Sequence, residues 1–361
     1  MRYAIVTETY PPEVNGVALT VWAKEQGLRN RGHEVEVIRP RQPGQSALKH
    51  ELLTRSAQIP RYPVMRFGFP AHRALRKRWT EHRPDAIYIA TEGPLGWSAL
   101  RTAVRLGIPV ASGFHTRFDE YTREYGVGFL QPAALNWMRS FHNRSDATLV
   151  PTCELSDFLR ANHFSDVYHL PRAVDTARFD PARRSQALRD SWGVPSGGLA
   201  AIYLGRIAAE KNLPLAVRAF RELQRQRPDA KFVWVGEGPE LAAIRAANPD
   251  FVFCGLRRDE DLAAHFASAD LFIFPSHSET FGNVTLESMA SGVTIAGSDD
   301  DAFVQAVCRL GMDDALRNAL GDGGREAVRK LRPAQVSADF DEILQRIARL
   351  RSEGDAHPLA A

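Results

Sequence analysis

The sequence is poor in cysteine and has no long apolar run, and each absence excludes a class of protein. Cys153, Cys254 and Cys308 are far apart and form no CxxC pair, so neither a disulfide framework nor a zinc site is indicated. No apolar run reaches the length of about 18 residues that a membrane-spanning helix requires. The opening MRYAIVTETYPP lacks the features of a signal peptide. We therefore expect a cytoplasmic protein that does not cross a membrane.

The sequence also lacks a strong charge of one sign. It has 46 Lys and Arg against 43 Asp and Glu, a formal net charge of +3, which by itself favours neither nucleic acid nor a membrane as partner. We expect no nucleic-acid partner. With 361 residues, 44% of them hydrophobic, the chain is long enough for two domains, each with its own core.

Short apolar runs alternate with amphipathic stretches along most of the chain. YAIVTE, EVEVIRP and AIYIA belong to a first set, and AAIYLGR, KFVWVGEG and DLFIFPS belong to a second. This alternation is typical of parallel sheets covered on both faces. It predicts an α/β fold with two doubly wound domains facing each other across a cleft, where ligands bind beyond the carboxyl ends of the strands.

The stretch SETFGNVTLESMASG, residues 278–292, follows the apolar run DLFIFPS. Its polar loop is therefore expected at the carboxyl end of a strand, beside a helix that begins near Val284. The backbone N–H groups of Gly282, Asn283 and Val284 would then face an anion such as a diphosphate, with support from the helix dipole.

Two glutamates flank this turn. Glu279 and Glu287 are separated by seven residues, which suits the recognition of hydroxyl groups on either side of the anion, one on a sugar and one on a ribose. The alternative is a helix capped by Asn283 with two solvated glutamates.

A second polar loop, GRIAAEKN, follows the apolar run AAIYL. It places Arg206 and Lys211 at the carboxyl end of another strand, where two cations would neutralise a diphosphate without a metal ion. The alternative is a solvated loop in which Glu210 pairs with Lys211.

Together these motifs resemble glycosyltransferase family four, whose members are retaining enzymes with the GT-B architecture of two Rossmann-like domains. The resemblance runs over about residues 1–297, through ETYPPEVNGVA, FHTRFDEYTREYG, AVDTARF, GRIAAEKN, VGEGP and SETFGNVTLESMASG. It is strongest to bacterial mannosyl- and glucosyltransferases that act on lipid acceptors. It implies an N-terminal acceptor domain at 1–170, a nucleotide-sugar donor domain at 171–332, and a helix at 333–352 that crosses back to the first domain.

The resemblance also implies roles for single residues. Glu279 matches the acid that holds the hydroxyls of the transferred sugar, and Glu287 matches the acid that holds the ribose. Arg206 and Lys211 match the basic pair on the diphosphate. The turn whose backbone meets sugar and phosphate is matched by Phe281, Gly282, Asn283 and Val284.

Two further matches lie in the first domain. Gly16 matches a glycine loop that lets the phosphate approach closely. His115 matches a histidine near sugar and acceptor, although a lone histidine at a strand end is otherwise more often structural.

The implied reaction moves a mannose- or glucose-type hexose from a GDP- or UDP-linked sugar to a hydroxyl of a lipid or saccharide. The leaving diphosphate would help to deprotonate the acceptor, and the protein would supply mainly electrostatic stabilisation. No cofactor and no metal are expected. The triplet Asp299 to Asp301 resembles a metal motif of another glycosyltransferase architecture, but we interpret it as the acidic start of a helix. A nucleotide-sugar epimerase and a donor-binding protein with little activity remain alternatives.

Residues 55–83 contain seven arginines and Lys77 against the single acid Glu81. Interleaved with Phe67, Phe69 and Trp79, these charges would suit peripheral docking on an anionic membrane surface. A solvated basic face with aromatic residues in the core is an equal alternative.

The sequence departs from the family in two places. After Gly297 about twenty residues of loop, helix and strand that the family has are absent, and part of that loop ordinarily approaches the diphosphate and sugar of the donor. Ala173 stands where the family usually has glycine.

Overall fold

The computed structural model describes residues 1–13, 15–59, 62–115, 131–276, 282–296 and 300–356. The chain divides into two compact units. The first runs from Met1 to Arg172 and resumes at Pro333, and the second runs from Ala173 to Arg332. In the described part of the chain, no helix is both long and apolar enough to span a bilayer.

The first unit is built on a parallel sheet whose central strands are short, apolar and almost fully buried. Among the described residues this sheet has seven strands in the order β3-β2-β1-β6-β7-β8-β9, and β4 and β5 form a separate antiparallel pair. The strands are β1 (Arg2–Val6), β2 (Glu34–Pro40), β3 (Glu51–Thr54), β4 (Ser56–Ile59), β5 (Tyr62–Gly68), β6 (Ala86–Ile89), β7 (Val110–Gly113), β8 (Ala147–Val150) and β9 (Val167–His169). The helices between them are α1 (Gly16–Asn30), α2 (His72–Glu81), α3 (Pro94–Arg105), α4 (Gln131–His142) and α5 (Cys153–Ala161).

The second unit repeats this plan on a smaller scale. Its described residues form a five-stranded parallel sheet in the order β12-β11-β10-β13-β14. The strands are β10 (Ala200–Leu204), β11 (Lys231–Val235), β12 (Val252–Gly255), β13 (Leu271–Ile273) and β14 (Thr294–Ala296). The helices are α6 (Gln186–Ser191), α7 (Leu213–Gln226), α8 (Leu241–Ala247), α9 (Asp259–Ser268), α10 (Asn283–Ala290), α11 (Asp300–Met312) and α12 (Asp314–Val328).

The last helix, α13 (Pro333–Ala356), returns to the first unit, as the sequence predicts. The ring of Phe340 packs edge-on against Tyr88 of β6, with the centroids 5.0 Å apart. Asp341 is 1% exposed and accepts hydrogen bonds from Tyr3 on β1 and from Arg31 just after α1, each at 2.8 Å. An apolar contact and a buried carboxylate therefore hold α13 on this unit.

The parallel sheets with intervening helices confirm the predicted α/β fold. The family residues that this chain lacks would follow β14. Among the described residues β14 is the edge strand of its sheet, and the next described residues begin α11. Asp301 lies in the first turn of α11 and pairs with Arg218 of α7 at 3.1 Å. Asp299 lies outside the described residues.

Candidate active site

In the second unit, sheet topology brings two of the predicted loops to the same edge. β10 and β13 are neighbouring parallel strands, so the chain leaves both of them at the same side of the sheet. Arg206 and Lys211 follow β10, and the turn at Gly282 follows β13. The Nζ of Lys211 is 3.5 Å from the Oγ of Ser276, just beyond β13, so this lysine reaches the loop that leads to the turn.

Close packing of backbone fixes the loop that carries Arg206. A Cβ added at Gly236, after β11, would collide with the carbonyl oxygen of Gly205, and one added at Gly238 would collide with that of Ile207. The N–H of Ile207 donates to the carbonyl of Glu237 at 2.9 Å. The two glycines of VGEGP thus let the loops after β10 and β11 touch, while the side chain of Arg206 stays exposed.

The turn before α10 ends in an unusual cap. Gly282 is the N-cap with φ of 70°, a left-handed conformation that favours glycine, and as a glycine it has no side chain to cap the first turn. Asn283 is the first helical residue, so the alternative in which Asn283 caps the helix is wrong. The N–H groups of Asn283 and Val284 lie at the positive end of the helix dipole, as the anion-site prediction requires.

Glu287 is the second glutamate of the predicted pair. It lies on α10, and burial raises the pKa of its carboxyl to about 7, although Arg178 opposes this shift. No hydrogen bond to its carboxyl is found among the described residues. A half-buried carboxyl that no donor of the described residues satisfies is suited to hydroxyl groups of a ligand. Its partner Glu279 and the turn residue Phe281 lie outside the described residues, so their roles stay predictions.

In the first unit, Gly16 is the first residue of α1. Asn15 caps this helix by accepting from the N–H groups of Val17 and Ala18, at 3.1 and 2.9 Å. The guanidinium of Arg172 donates to the carbonyl of Gly16 at 3.3 Å. A Cβ at Gly16 would come within 3.3 Å of the same guanidinium, so glycine keeps this approach open.

His115 lies two residues beyond β7. Its Nε2 is 2.7 Å from the hydroxyl of Tyr88, and burial, together with the charges of Arg172 and Lys24, holds the pKa of the imidazole well below its usual range. His115 is therefore neutral at physiological pH.

Lys24 is a residue that the sequence analysis missed. Its amine lies 4.2 Å from the ring centroid of Phe340 and 5.6 Å from that of Tyr88. Burial, reinforced by Arg172, lowers the pKa of this lysine to about 7. The sequence contains an indication of this position, because Lys24 lies three residues after Val21 and therefore beside the buried face of α1.

A buried Ser–His–Glu arrangement lies in the same unit, but its role is structural and not catalytic. The Oγ of Ser112 is 2.8 Å from Nδ1 of His142, and Nε2 of His142 is 3.0 Å from Glu92. Ser112 and His142 are fully buried, so this hydroxyl cannot reach a substrate. The three residues satisfy one another inside the core.

Two family descriptions match this chain. Glycosyltransferase Family 4 matches residues 14–178, and Glycosyl transferases group 1 matches residues 199–322. A GDP-mannose-dependent alpha-mannosyltransferase of Mycolicibacterium smegmatis is 35% identical over 324 residues, which cover 86% of this chain and 84% of that protein. The chain belongs to glycosyltransferase family 4. An alpha-monoglucosyldiacylglycerol synthase of Streptococcus pneumoniae is 27% identical to this family 4 glycosyltransferase over 310 residues, 82% of this chain and 70% of that protein.

Solved structures agree with the family at the level of fold. Sucrose-phosphate synthase from Thermosynechococcus elongatus superposes with a TM-score of 0.74 at 17% identity, covering 96% of this chain and 98% of that one. Anabaena HepE in complex with UDP gives 0.75 at 15% identity, covering 96% and 100%. The GT-B fold of this family 4 glycosyltransferase is thereby confirmed, as is the predicted family. The roles of its single site residues stay predictions.

Proposed function

We propose that this glycosyltransferase is a retaining, metal-independent hexosyltransferase that moves a mannose- or glucose-type sugar from a nucleotide diphosphate to a hydroxyl of a lipid or saccharide. The observation that carries the proposal is the juxtaposition in the second unit. There Lys211 reaches Ser276 just beyond β13, at the edge of the sheet from which the chain continues to the N-terminus of α10. Cation and helix N-terminus together favour an anion with the charge of a diphosphate.

The same juxtaposition supports catalysis without a metal. In a retaining front-face reaction the acceptor oxygen bonds to C1 of the sugar while the bond from C1 to the diphosphate oxygen breaks, and the acceptor proton passes to that oxygen. Negative charge then grows on the leaving group. Lys211 and Arg206 would stabilise this charge, each by roughly 4 kcal/mol at 4 Å and an effective dielectric near 20, before desolvation is subtracted.

The relatives indicate which donor to test first. Three proteins that are 32% to 35% identical to this chain are named GDP-mannose-dependent alpha-mannosyltransferases. Two proteins at 27% identity are named alpha-monoglucosyldiacylglycerol synthases. We propose GDP-mannose as donor, with a UDP-linked glucose as the second candidate, and a glycerolipid-type hydroxyl as acceptor.

A lipid acceptor requires access to a membrane, and one surface of the first unit is suited to it. Trp97 of α3 lies 6.1 Å, centroid to centroid, from Trp137 of α4, which is 43% exposed. The guanidinium carbons of Arg101 and Arg144 lie 5.4 and 5.8 Å from the Trp97 ring. Aromatic rings beside cations are typical of membrane interfaces.

The adjoining pocket between α2 and α3 extends this cationic surface. It has a volume of about 180 Å³ and is lined by Arg73, Arg76 and Arg105, all exposed, together with His72 and Thr102. We call the surface of α2, α3 and α4 that carries these arginines and the two tryptophans the basic–aromatic face. It differs from the surface considered in the sequence analysis, because Trp79 is 1% exposed and belongs to the core, where the alternative interpretation placed it.

The proposal is tested by incubating the protein with radiolabelled GDP-mannose or UDP-glucose and a total lipid extract, followed by NMR of the product. We expect GDP-mannose to give labelled lipid in which the α configuration of the donor is kept. Transfer should continue when a chelator is present. An inverted product or full loss of transfer with chelator would refute the mechanism. An altered free sugar would favour an epimerase, and bound donor without product would favour a donor-binding protein.

Lys211→Ala provides the inactive reference for this assay. It should slow transfer by about two powers of ten, since each 1.36 kcal/mol lost is tenfold. Lys231→Ala is the matched control because Lys231 starts β11, at the amino end of the same sheet. Equal rates for the two variants would remove the role of Lys211.

A further inference from the structure

The pair formed by Tyr88 and His115 has a feature that none of the sequence motifs explains. The hydroxyl of Tyr88 is 2.7 Å from Nε2 of His115, and the two rings are nearly perpendicular, at 88°. The other ring nitrogen, Nδ1, is buried and has no hydrogen-bond partner among the described residues. One ring nitrogen is therefore bound to the protein, and the other has no partner among the described residues that would satisfy it.

Counting hydrogen bonds decides which nitrogen carries the proton. Tyr88 is 1% exposed, and burial raises the pKa of its phenol, so the hydroxyl keeps its proton and needs an acceptor. Nε2 of His115 is the acceptor recorded for it in the described part of the chain. If Nε2 carried the proton instead, both the phenol proton and the Nδ1 lone pair would lack partners. Protonation at Nδ1 leaves only one buried group unsatisfied, which costs less.

The neighbouring glycine shows that the fold makes room for this pair. A Cβ added at Gly113 would collide with the hydroxyl of Tyr88 and would lie 2.6 Å from Nε2 of His115. Any side chain at this position would therefore separate the two residues. Gly113 does not have the left-handed backbone that requires glycine, so the space itself is the physical reason for glycine here.

The charges around the ring keep it neutral. Lys24 of α1 and Arg172 both disfavour a proton on His115, and so does His142 of α4, whose own Nε2 is bonded to Glu92. Tyr88, on β6, contributes no charge. The groups that act on the ring from α1, α4 and the segment after β9 therefore all favour the neutral imidazole.

We propose that Tyr88 is a positioning residue that holds His115 as the neutral tautomer with its proton on Nδ1, so that this N–H donates to a hydroxyl oxygen of the bound sugar or acceptor. Lys24, whose amine contacts the Tyr88 and Phe340 rings, also favours this neutral state. His115 is thereby a hydrogen-bond donor in transfer and not a base. The substrate contact rests on the proposed function, whereas the tautomer does not.

The tautomer is measured directly by nitrogen NMR of the histidine-labelled full-length protein, with the His115 signals assigned by their loss in His115→Asn. We expect a protonated Nδ1 and a deprotonated Nε2 in the unaltered protein between pH 6 and 8. In Tyr88→Phe this preference should be lost. Tyr3→Phe is the matched control, because Tyr3 is also buried and donates to Asp341 at 2.8 Å in the same unit. A proton on Nε2 in the unaltered protein would overturn the proposal.

Transfer kinetics test the consequence for substrate. Tyr88→Phe should lower kcat/KM by about tenfold, the effect of one hydrogen bond, while Tyr3→Phe should not. Gly113→Ala is a second variant that keeps both partners but separates them, and it should reproduce the tautomer change. Equal kinetics and unchanged nitrogen signals in both variants would refute the idea. If no sugar is transferred by the unaltered protein, the proposed function fails, but the nitrogen signals still decide the tautomer.

Discussion

Glu287 illustrates how a single residue can make substrate binding depend on pH. Its carboxyl is partly withdrawn from water on α10, and burial is the main cause of its raised pKa of about 7. The protonated carboxyl is an acid that donates one bond, whereas the ionised one accepts several. Hydroxyl groups of a ribose would therefore bind better to the ionised form.

The prediction for this residue concerns nucleotide affinity between pH 6 and 8. With a pKa near 7 the carboxyl is mostly protonated at pH 6 and mostly ionised at pH 8, so the affinity for GDP should rise by up to about tenfold through Glu287 alone. Isothermal titration of GDP into the unaltered protein and into Glu287→Gln measures this. Residue 287 cannot ionise in Glu287→Gln, so the pH dependence that remains in this variant comes from the phosphate groups of GDP.

Glu326→Gln is the control for this measurement. Glu326 is exposed on α12 and pairs with Arg329 at 3.3 Å. This variant should keep the pH dependence of the unaltered protein. The same pH dependence in Glu287→Gln as in the other two proteins would show that Glu287 does not hold the nucleotide through its ionised form.

At the scale of elements, α13 depends on one buried carboxylate. Burial opposes the ionisation of Asp341, but hydrogen bonds from Arg31, His33 and Tyr3 outweigh it and lower the pKa to about 2. A carboxyl with a depressed pKa stabilises the fold above its unfolded pKa, near 4. The contribution is lost as the pH falls through the folded value.

Asp341→Asn should therefore destabilise the protein near neutral pH. From the depressed pKa we expect a loss of about 2 kcal/mol, and a melting temperature lower by a few degrees. The difference from the unaltered protein should shrink as the pH is lowered from 4 to 2. Thermal melts followed by circular dichroism measure both effects. Asp339→Asn is the control on the same helix, since Asp339 accepts only from Gln335 among the described contacts. An equal drop in both variants would contradict the role of Asp341.

The elements also show how far the sequence could predict this structure. Periodicity predicts the strands, because AIYIA and AAIYL are continuous apolar runs that a parallel sheet buries on both faces. The loops after β10 and β13 could be predicted to meet, because neighbouring parallel strands end at one edge. These inferences need only local pattern and a rule of topology.

Side-chain pairing over long separations could not be predicted in this way. Tyr88 and His115 are 27 residues apart, and their bond depends on the space left at Gly113. The sequence alone allows Trp79 to lie on the surface or in the core. The structure buries Trp79 together with Leu75 on one face of α2. The raised pKa of Glu287 depends on its burial, which a sequence does not give.

At the scale of the whole molecule, the charges are distributed unevenly. The chain as a whole is nearly balanced, with 46 basic and 43 acidic residues, yet α2, α3 and α4 contain seven Lys or Arg and one acid, Glu81. The remainder of the chain is correspondingly more acidic. A local surplus of this kind attracts an anionic surface even when the net charge is small.

The basic–aromatic face should therefore bind vesicles that contain phosphatidylglycerol and not vesicles of phosphatidylcholine alone. Each cation near an anionic surface contributes about 1 kcal/mol, so the double variant Arg73→Glu and Arg76→Glu should bind at least roughly thirtyfold more weakly in sedimentation at low salt. Trp137→Ala should weaken binding less, and without changing its salt dependence, because it removes apolar area and not charge.

The double variant Arg309→Glu and Arg349→Glu makes the same change in net charge on α11 and α13, at arginines that are also exposed. If docking depends on the basic–aromatic face, this control binds vesicles almost as well as the unaltered protein. If instead both double variants lose binding equally, only net charge matters. The face is then not a docking surface, and the lipid acceptor must reach the enzyme by another route.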